Sequence, residues 1–126
     1  MPTSVKDMLA AARAVVPAIT PAEATQLVAT GDALLVDVRD GTEVAASGKA
    51  KGAVAVSRGL LEFRADLDSP NHDPAFRQDR PIILYCGSGG RAALAGKTLR
   101  DMGFKDVRNL GGFKDWVNAG GAVEPG

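Results

Sequence analysis

The 126-residue sequence holds only one cysteine, one histidine, one tyrosine and one tryptophan, and each scarcity narrows the chemistry open to it. A single thiol, Cys86, excludes any disulfide within these residues and suits a reducing compartment. His72 is the only imidazole, so no cluster of Cys, His and carboxylates reaches the ligand count of a metal site. An excess of charge of either sign is also missing, because fifteen Lys and Arg balance fifteen Asp and Glu. Nucleic acid and anionic membranes select basic surfaces, so neither is expected as a partner, whereas a small anion bound locally is compatible with neutrality. No apolar run approaches the roughly 18 residues of a membrane helix. A secretory leader is not expected either, since Arg13 breaks the Ala-rich stretch that follows Lys6 and Asp7. Dinucleotide and Walker-type glycine fingerprints are lacking. These absences point to a cytoplasmic protein without a cofactor.

What is present fits one globular domain. With 45% hydrophobic and 24% charged residues the composition is near the average, and a chain of this length buries roughly two-thirds of its unfolded surface. Val5, Met8, Leu9, Ala12, Val15 and Val16 recur at helical spacing behind a Ser4/Asp7 capping box, so residues 1–17 read as an amphipathic helical extension. Thr20, Pro21 and Glu23 mark the start of a second helix that stops near Gly31. Ala33–Val38 reads as a short strand buried on both faces, and Ala53–Val56, Pro81–Cys86 and Asp106–Leu110 read as further short strands. Helical stretches are expected over 42–47, 59–65, from Arg91 to Met102, and around Phe113, Trp116 and Val117. Gly103 fits a C′ position with Phe104 folding back, and the proline-containing segment 66–80 reads as a loop. Such alternation predicts an α/β domain: a central, mostly parallel sheet of about five strands with helices on both faces.

In such sheets ligands bind beyond the carboxyl ends of the strands, and Cys86 sits at one, before Gly87-Ser88-Gly89-Gly90 and a helix opening near Arg91. Three glycines let the backbone curl so that its N–H groups point inward, and the helix N-terminus adds to that anion cradle. The same field favours thiolate over thiol. At least three loop N–H groups are expected to converge on the sulfur at the floor of a shallow pocket, with Arg91 adding charge or buttressing the loop. On residue type alone a free cysteine is usually a small buried hydrophobe; this context argues for a nucleophile instead.

The segment CGSGGR, Cys86 to Arg91, resembles the active-site loop of the rhodanese family. Leu35-Val36-Asp37-Val38-Arg39 is similar to that family's second-strand motif, Gly52-Ala53-Val54 to the segment entering its next strand, and Gly111-Gly112-Phe113 with Trp116 to its C-terminal helix. The resemblance spans about residues 20 to 121 and implies a rhodanese-like domain over 18–126. It further implies a sulfurtransferase in which Cys86 takes sulfur as a persulfide from a small anionic donor, with thiosulfate favoured over 3-mercaptopyruvate. An acceptor thiol or cyanide then removes it, with Gly87, Ser88, Gly89, Gly90 and Arg91 cradling the sulfur. Where the family often has a histidine this chain has Lys49, read as structural.

Other residues carry weaker readings. Asp37 and Arg39 stand at a strand end and are candidates to line the pocket, although an ion pair of Arg39 with Glu43 or another neighbour is the plainer expectation. Arg58 is a candidate contact for an anionic donor or an ordinary solvated arginine. His72 is expected at the surface, and Phe113 and Trp116 in the core. Two other functions stay open: a protein-to-protein persulfide carrier or binding module, and a cysteine phosphatase or arsenate reductase. The latter is disfavoured because cysteine phosphatases place five residues between Cys and Arg, where this loop has four. A sulfur-acceptor protein is a candidate partner, and the N-terminal helix could pack on its own domain or on a second copy in a homodimer.

Overall fold

Two short strands, buried at every position, form the centre of the protein: β1 (Leu34–Asp37) and β4 (Ile82–Cys86), paired in parallel. The computed structural model describes residues 2–126. β3 (Val54–Ala55) flanks β1, and β5 (Val107–Gly112) flanks β4, giving a parallel sheet of order β3-β1-β4-β5. The sheet thus has four strands rather than about five. Its outer edge is extended only locally, where the Ile19 N–H donates to Asn109 O at 3.0 Å and the Asn109 N–H to Pro17 O at 2.8 Å. A separate antiparallel pair, β2 (Lys49–Ala50) with β6 (Val123–Glu124), lies outside it. The sequence reading assigned neither, because two-residue strands are too short to show a period.

Successive residues of a strand face opposite ways, so each continuous apolar run feeds two cores. Leu34, Val36, Ile82, Leu84 and Cys86 belong to one; Leu35, Ile83 and Tyr85 belong to the other. The first core is closed by α4 (Leu61–Ala65), which follows a 3-10 turn at Arg58–Leu60, and by α5 (Gly90–Asp101). The second is closed by α2 (Pro21–Thr30) and α6 (Phe113–Asn118), which contribute Ala24 and Trp116. α3 (Gly41–Ser47) follows β1. The order β3-β1-β4-β5 reverses direction between β1 and β4, and the carboxyl ends of those two strands carry Asp37 and Cys86.

Helix ends follow the sequence signals. Ser4 Oγ accepts the Asp7 N–H at 3.1 Å, and Thr20 Oγ1 accepts that of Glu23 at 3.1 Å. After α5, the Phe104 N–H reaches Leu99 O and the Gly103 N–H reaches Arg100 O, both at 3.0 Å, in a Schellman motif. The first helix, α1 (Val5–Val15), lies on α5 of its own domain, where Gly96 leaves room for Val16. It buries Ala12 and leaves Val5, Met8 and Val15 exposed. Segment 66–80 is a series of turns, yet Phe76 within it is fully buried, edge-on to Phe104 at 6.4 Å.

The carboxyl end of β1 is held by a buried charge network. Arg39 Nε and Nη2 donate to Asp37 Oδ1 and Oδ2 at 3.0 and 2.8 Å, and Tyr85 Oη donates to Oδ2 at 2.7 Å. The Tyr85 oxygen accepts the Ala50 N–H, tying β2 to β4. Arg39 also donates to Ser47 Oγ and Gly48 O at the end of α3, and its guanidinium lies 4.3 Å from the Phe113 ring centre. Burial pushes the Tyr85 hydroxyl pKa up, so it remains a donor. One residue thus joins β1, α3 and α6. Removing one partner of a buried ion pair strands the other, at a cost of about 3–5 kcal/mol. Asp37→Ala is expected to lose about that much stability in urea unfolding. Tyr85→Phe should lose nearer ~1–3 kcal/mol, the cost of an unsatisfied buried group. An Asp37→Ala loss below ~1 kcal/mol contradicts this account of the network.

Candidate active site

Cys86 ends β4 with its side chain on the face that α5 covers, so the next residues must turn the chain through a sharp corner into that helix. Gly89 makes the corner with φ of +101°, a backbone state that glycine adopts without the Cβ clash other residues meet. The turn directs the Gly89 N–H at Cys86 Sγ, 3.0 Å away, and the Ala92 N–H from the first turn of α5 approaches at 3.4 Å. Two donors therefore meet the sulfur, where at least three were expected, and Ala92 lies outside the segment singled out from the sequence. Cys86 is 1% exposed, buried beneath its loop rather than at the floor of an open pocket. Gly87 and Ser88 are exposed, Gly90 and Arg91 half-buried.

The loop rests on the end of β5. Opposite Leu84 and Tyr85 the pairing skips Leu110, a bulge that brings Gly112 level with Cys86. A Cβ on Gly112 would stand 2.3 Å from Gly87 O, so only glycine permits this backbone contact. Asn109 completes the support: its Nδ2 donates to Gly89 O at 3.1 Å, while its Oδ1 accepts the Gly111 N–H at 2.8 Å. Asp115 Oδ2 accepts the Gly112 N–H at 3.0 Å. Sequence reasoning missed Asn109 and Asp115. The only signal was their flanking of Gly111-Gly112, which otherwise reads as a simple turn into α6.

Arg91 is paired in a two-pronged ion pair. Its Nη1 and Nη2 donate to Glu43 Oε1 and Oε2 at 2.6 and 3.0 Å, joining the start of α5 to α3. The Arg91 hydrogen bonds hold the Glu43 carboxyl down to about 2, so it stays ionised across the physiological range. The same contact raises the Arg91 pKa further, with the nearby Cys86 sulfur adding in the same direction.

The remaining candidates are placed as follows. Arg39 pairs with Asp37 and not with Glu43, whose carboxylate Arg91 occupies. Asp37 is fully buried, its oxygens taken by Arg39 and Tyr85. Arg58 is half-buried and donates to Glu62 Oε1 and Thr98 Oγ1, each at 3.0 Å, so it is neither free nor fully solvated. His72 is half-buried rather than at the surface, with Nε2 3.2 Å from Phe76 O. Lys49 donates to Ala53 O and pairs with Glu124, which closes the β2–β6 pair. Trp116 is buried and Phe113 packs partly buried beside it. Among the described residues no group of His, Cys, Asp and Glu is placed to hold a metal ion, and no helix is long and apolar enough to cross a membrane. A cavity of about 170 Å³ lined by Arg39, Gly41, Ser57, Leu60 and Arg64 opens at the carboxyl ends of β1 and β3. A larger, apolar one of about 560 Å³ lies on the other sheet face between α2 and α6.

Known proteins are similar to this chain in sequence and in fold. A thiosulfate sulfurtransferase of Actinobacillus succinogenes is 31% identical over 108 residues, 84% of this chain and 88% of its own length. A tRNA uridine(34) hydroxylase of Nitrobacter winogradskyi is 35% identical over 75% of this chain, which spans only 36% of that longer protein. Among solved structures, a Rhodopseudomonas palustris protein of unknown function, described as a possible tyrosine phosphatase, superposes with a TM-score of 0.87. It is 40% identical, over 98% of this chain and 99% of its own. The polysulfide-sulfur transferase homodimer of Wolinella succinogenes gives a TM-score of 0.73 at 35% identity, over 96% and 87%. The family model for the rhodanese-like domain matches residues 20–119, from the cap of α2 to the end of α6, and with the Cys86 loop at the switch point of its parallel sheet this chain belongs to the rhodanese family.

Proposed function

We propose that the protein is a thiosulfate-type sulfurtransferase whose nucleophile is Cys86. The observation that carries the reading is the sulfur at the N-terminus of α5, facing the N–H groups of Gly89 and Ala92 in a loop that glycine alone can form. Those dipoles lie where negative charge sits on a thiolate and, after transfer, on a persulfide. In the first step the Cys86 thiolate attacks the outer sulfur of thiosulfate. A sulfur–sulfur bond forms, and the bond to the sulfonate sulfur breaks, with its electron pair leaving on sulfite. In the second step an acceptor thiolate or cyanide attacks that outer sulfur, and the Cys86 thiolate departs with the electron pair. Two displacements replace one harder transfer. Gly87, Ser88, Gly90 and Arg91 complete the cradle; Asp37, Arg39 and Arg58 shape its surroundings through their ion pairs. No cofactor takes part, and the reaction suits a reducing cytoplasm. Thiosulfate is favoured as donor because relatives of similar length carry that activity in their names.

A phosphatase reading is raised by the Rhodopseudomonas neighbour. It fits the site less well: four residues separate Cys86 from Arg91, and the guanidinium is held by Glu43. A persulfide relay between proteins uses the same first intermediate and differs only in donor and acceptor. A homodimer would use the α1 face bearing Val5, Met8 and Val15; a monomer in sedimentation at every concentration removes it.

Intact mass tests the chemistry. Incubation with thiosulfate should add one sulfur atom, cyanide should remove it, and Cys86→Ser should add none while melting near the wild-type temperature. Sulfur retained by Cys86→Ser refutes the mechanism. Release of phosphate from an aryl phosphate with no sulfur uptake from any donor favours the phosphatase. Gly112→Ala drives a methyl group at the Gly87 carbonyl and should slow sulfur uptake at least about tenfold, the scale of a small misplacement at a reacting centre. Unchanged uptake there shows that the β5 contact does not set the loop.

A further inference from the structure

Three arginines near the carboxyl end of the sheet are matched by carboxylates: Arg39 by Asp37, Arg58 by Glu62 and Arg91 by Glu43. The third match is the unusual one, because Arg91 closes the Cys86 loop. The pair lies directly across the loop: a Cβ built on Gly87 would be 3.0 Å from Arg91 Nη2 and 3.8 Å from Glu43 Oε2. Both side chains are 38% exposed, so they form part of the surface that a substrate meets beside Gly87. Glu43 is not free to swing aside, since its Oε1 also accepts the Asp40 N–H at 3.2 Å in the first turn of α3. A fixed anion therefore stands at the mouth of a site whose proposed donor is a dianion.

We infer that Glu43 is a specificity-determining residue, which by occupying Arg91 holds down the reactivity of small dianionic donors relative to uncharged sulfane-sulfur donors. The inference rests on the sulfurtransferase reading of Cys86. Glu43→Gln separates charge from shape. The amide oxygen can take the place of Oε1 and keep the bonds from Arg91 Nη1 and the Asp40 N–H. The amide NH2 then replaces Oε2 and faces Nη2 donor to donor, which frees the one Arg91 nitrogen that lies against Gly87. One negative charge is removed and one positive charge is released within reach of the donor.

The test compares thiosulfate with an uncharged organic trisulfide, using wild type, Glu43→Gln and Glu43→Asp. Glu43→Gln should raise kcat/KM for thiosulfate about 3–10-fold, chiefly through KM, the effect of one nearby charge at intermediate dielectric. The trisulfide value should not follow it. The thiosulfate gain should shrink as salt is added, because charges this exposed are screened. Glu43→Asp, which keeps the charge, should hold the wild-type donor ratio. If Glu43 serves only to hold Arg91 and the loop, Glu43→Gln lowers both donors alike with no salt dependence, and the inference is overturned. Should Glu43→Gln prove too unstable to assay, Glu43→Met removes the same charge with a good helix former and is read against the same outcomes. Wild-type protein that takes sulfur from neither donor overturns the sulfurtransferase reading itself; uptake by wild type with an unchanged donor ratio in the variant overturns only the role of Glu43.

Discussion

The arrangement at Cys86 depends on one backbone contact, the approach of Gly112 to the carbonyl of Gly87. β4 and β5 run in parallel, and without the bulge at Leu110 their ends would be out of step. With it, the end of β5 supports the loop from beneath, and Asn109 links the two by side-chain hydrogen bonds. The Cys86 corner is therefore braced from a neighbouring strand instead of depending on its own glycines alone. This reconciles two needs of a cradle for sulfur. The loop must be glycine-rich to turn its amides inward, yet glycine-rich segments carry the largest entropy cost of ordering. Anchoring the loop at Gly87 and at Gly89 meets that cost with packed structure.

Charge is organised in the same economical way. At the carboxyl end of the sheet Arg39, Arg58 and Arg91 are each committed to a carboxylate, while backbone N–H dipoles face the Cys86 sulfur directly. The Asp37–Arg39–Tyr85 network is a frame, tying β1 to α3 and α6 beneath the site. Glu43 and Arg91 do the same across the loop, but at the surface, where they can also act on what approaches.

Much of this was legible in the residues. The two capping boxes, the Schellman end of α5 and the four strands of the sheet all rest on local signals of a few residues, and the structure keeps them. The position of Cys86 at a strand end before a glycine turn was legible for the same reason. What could not be read depends on contacts distant in sequence. Asn109 reaches Gly89 across 20 residues, Arg91 meets Glu43 across 48, and Lys49 joins Glu124 across 75. Arg39, expected to pair with Glu43 or a neighbour, pairs with its neighbour Asp37, while Arg91 takes Glu43. Phe76, in a segment with polar neighbours that reads as a loop, is core because Phe104 folds back toward it after the Schellman turn.

The most direct test of the central claim is a crystal structure of the protein after exposure to thiosulfate. The account predicts one added sulfur bonded to Cys86 Sγ, within hydrogen-bond distance of N–H groups of the Gly87–Arg91 loop, with the Gly112–Gly87 contact intact. An unmodified Cys86 in a protein that has bound the anion elsewhere, or an added sulfur turned away from those amides, would contradict it.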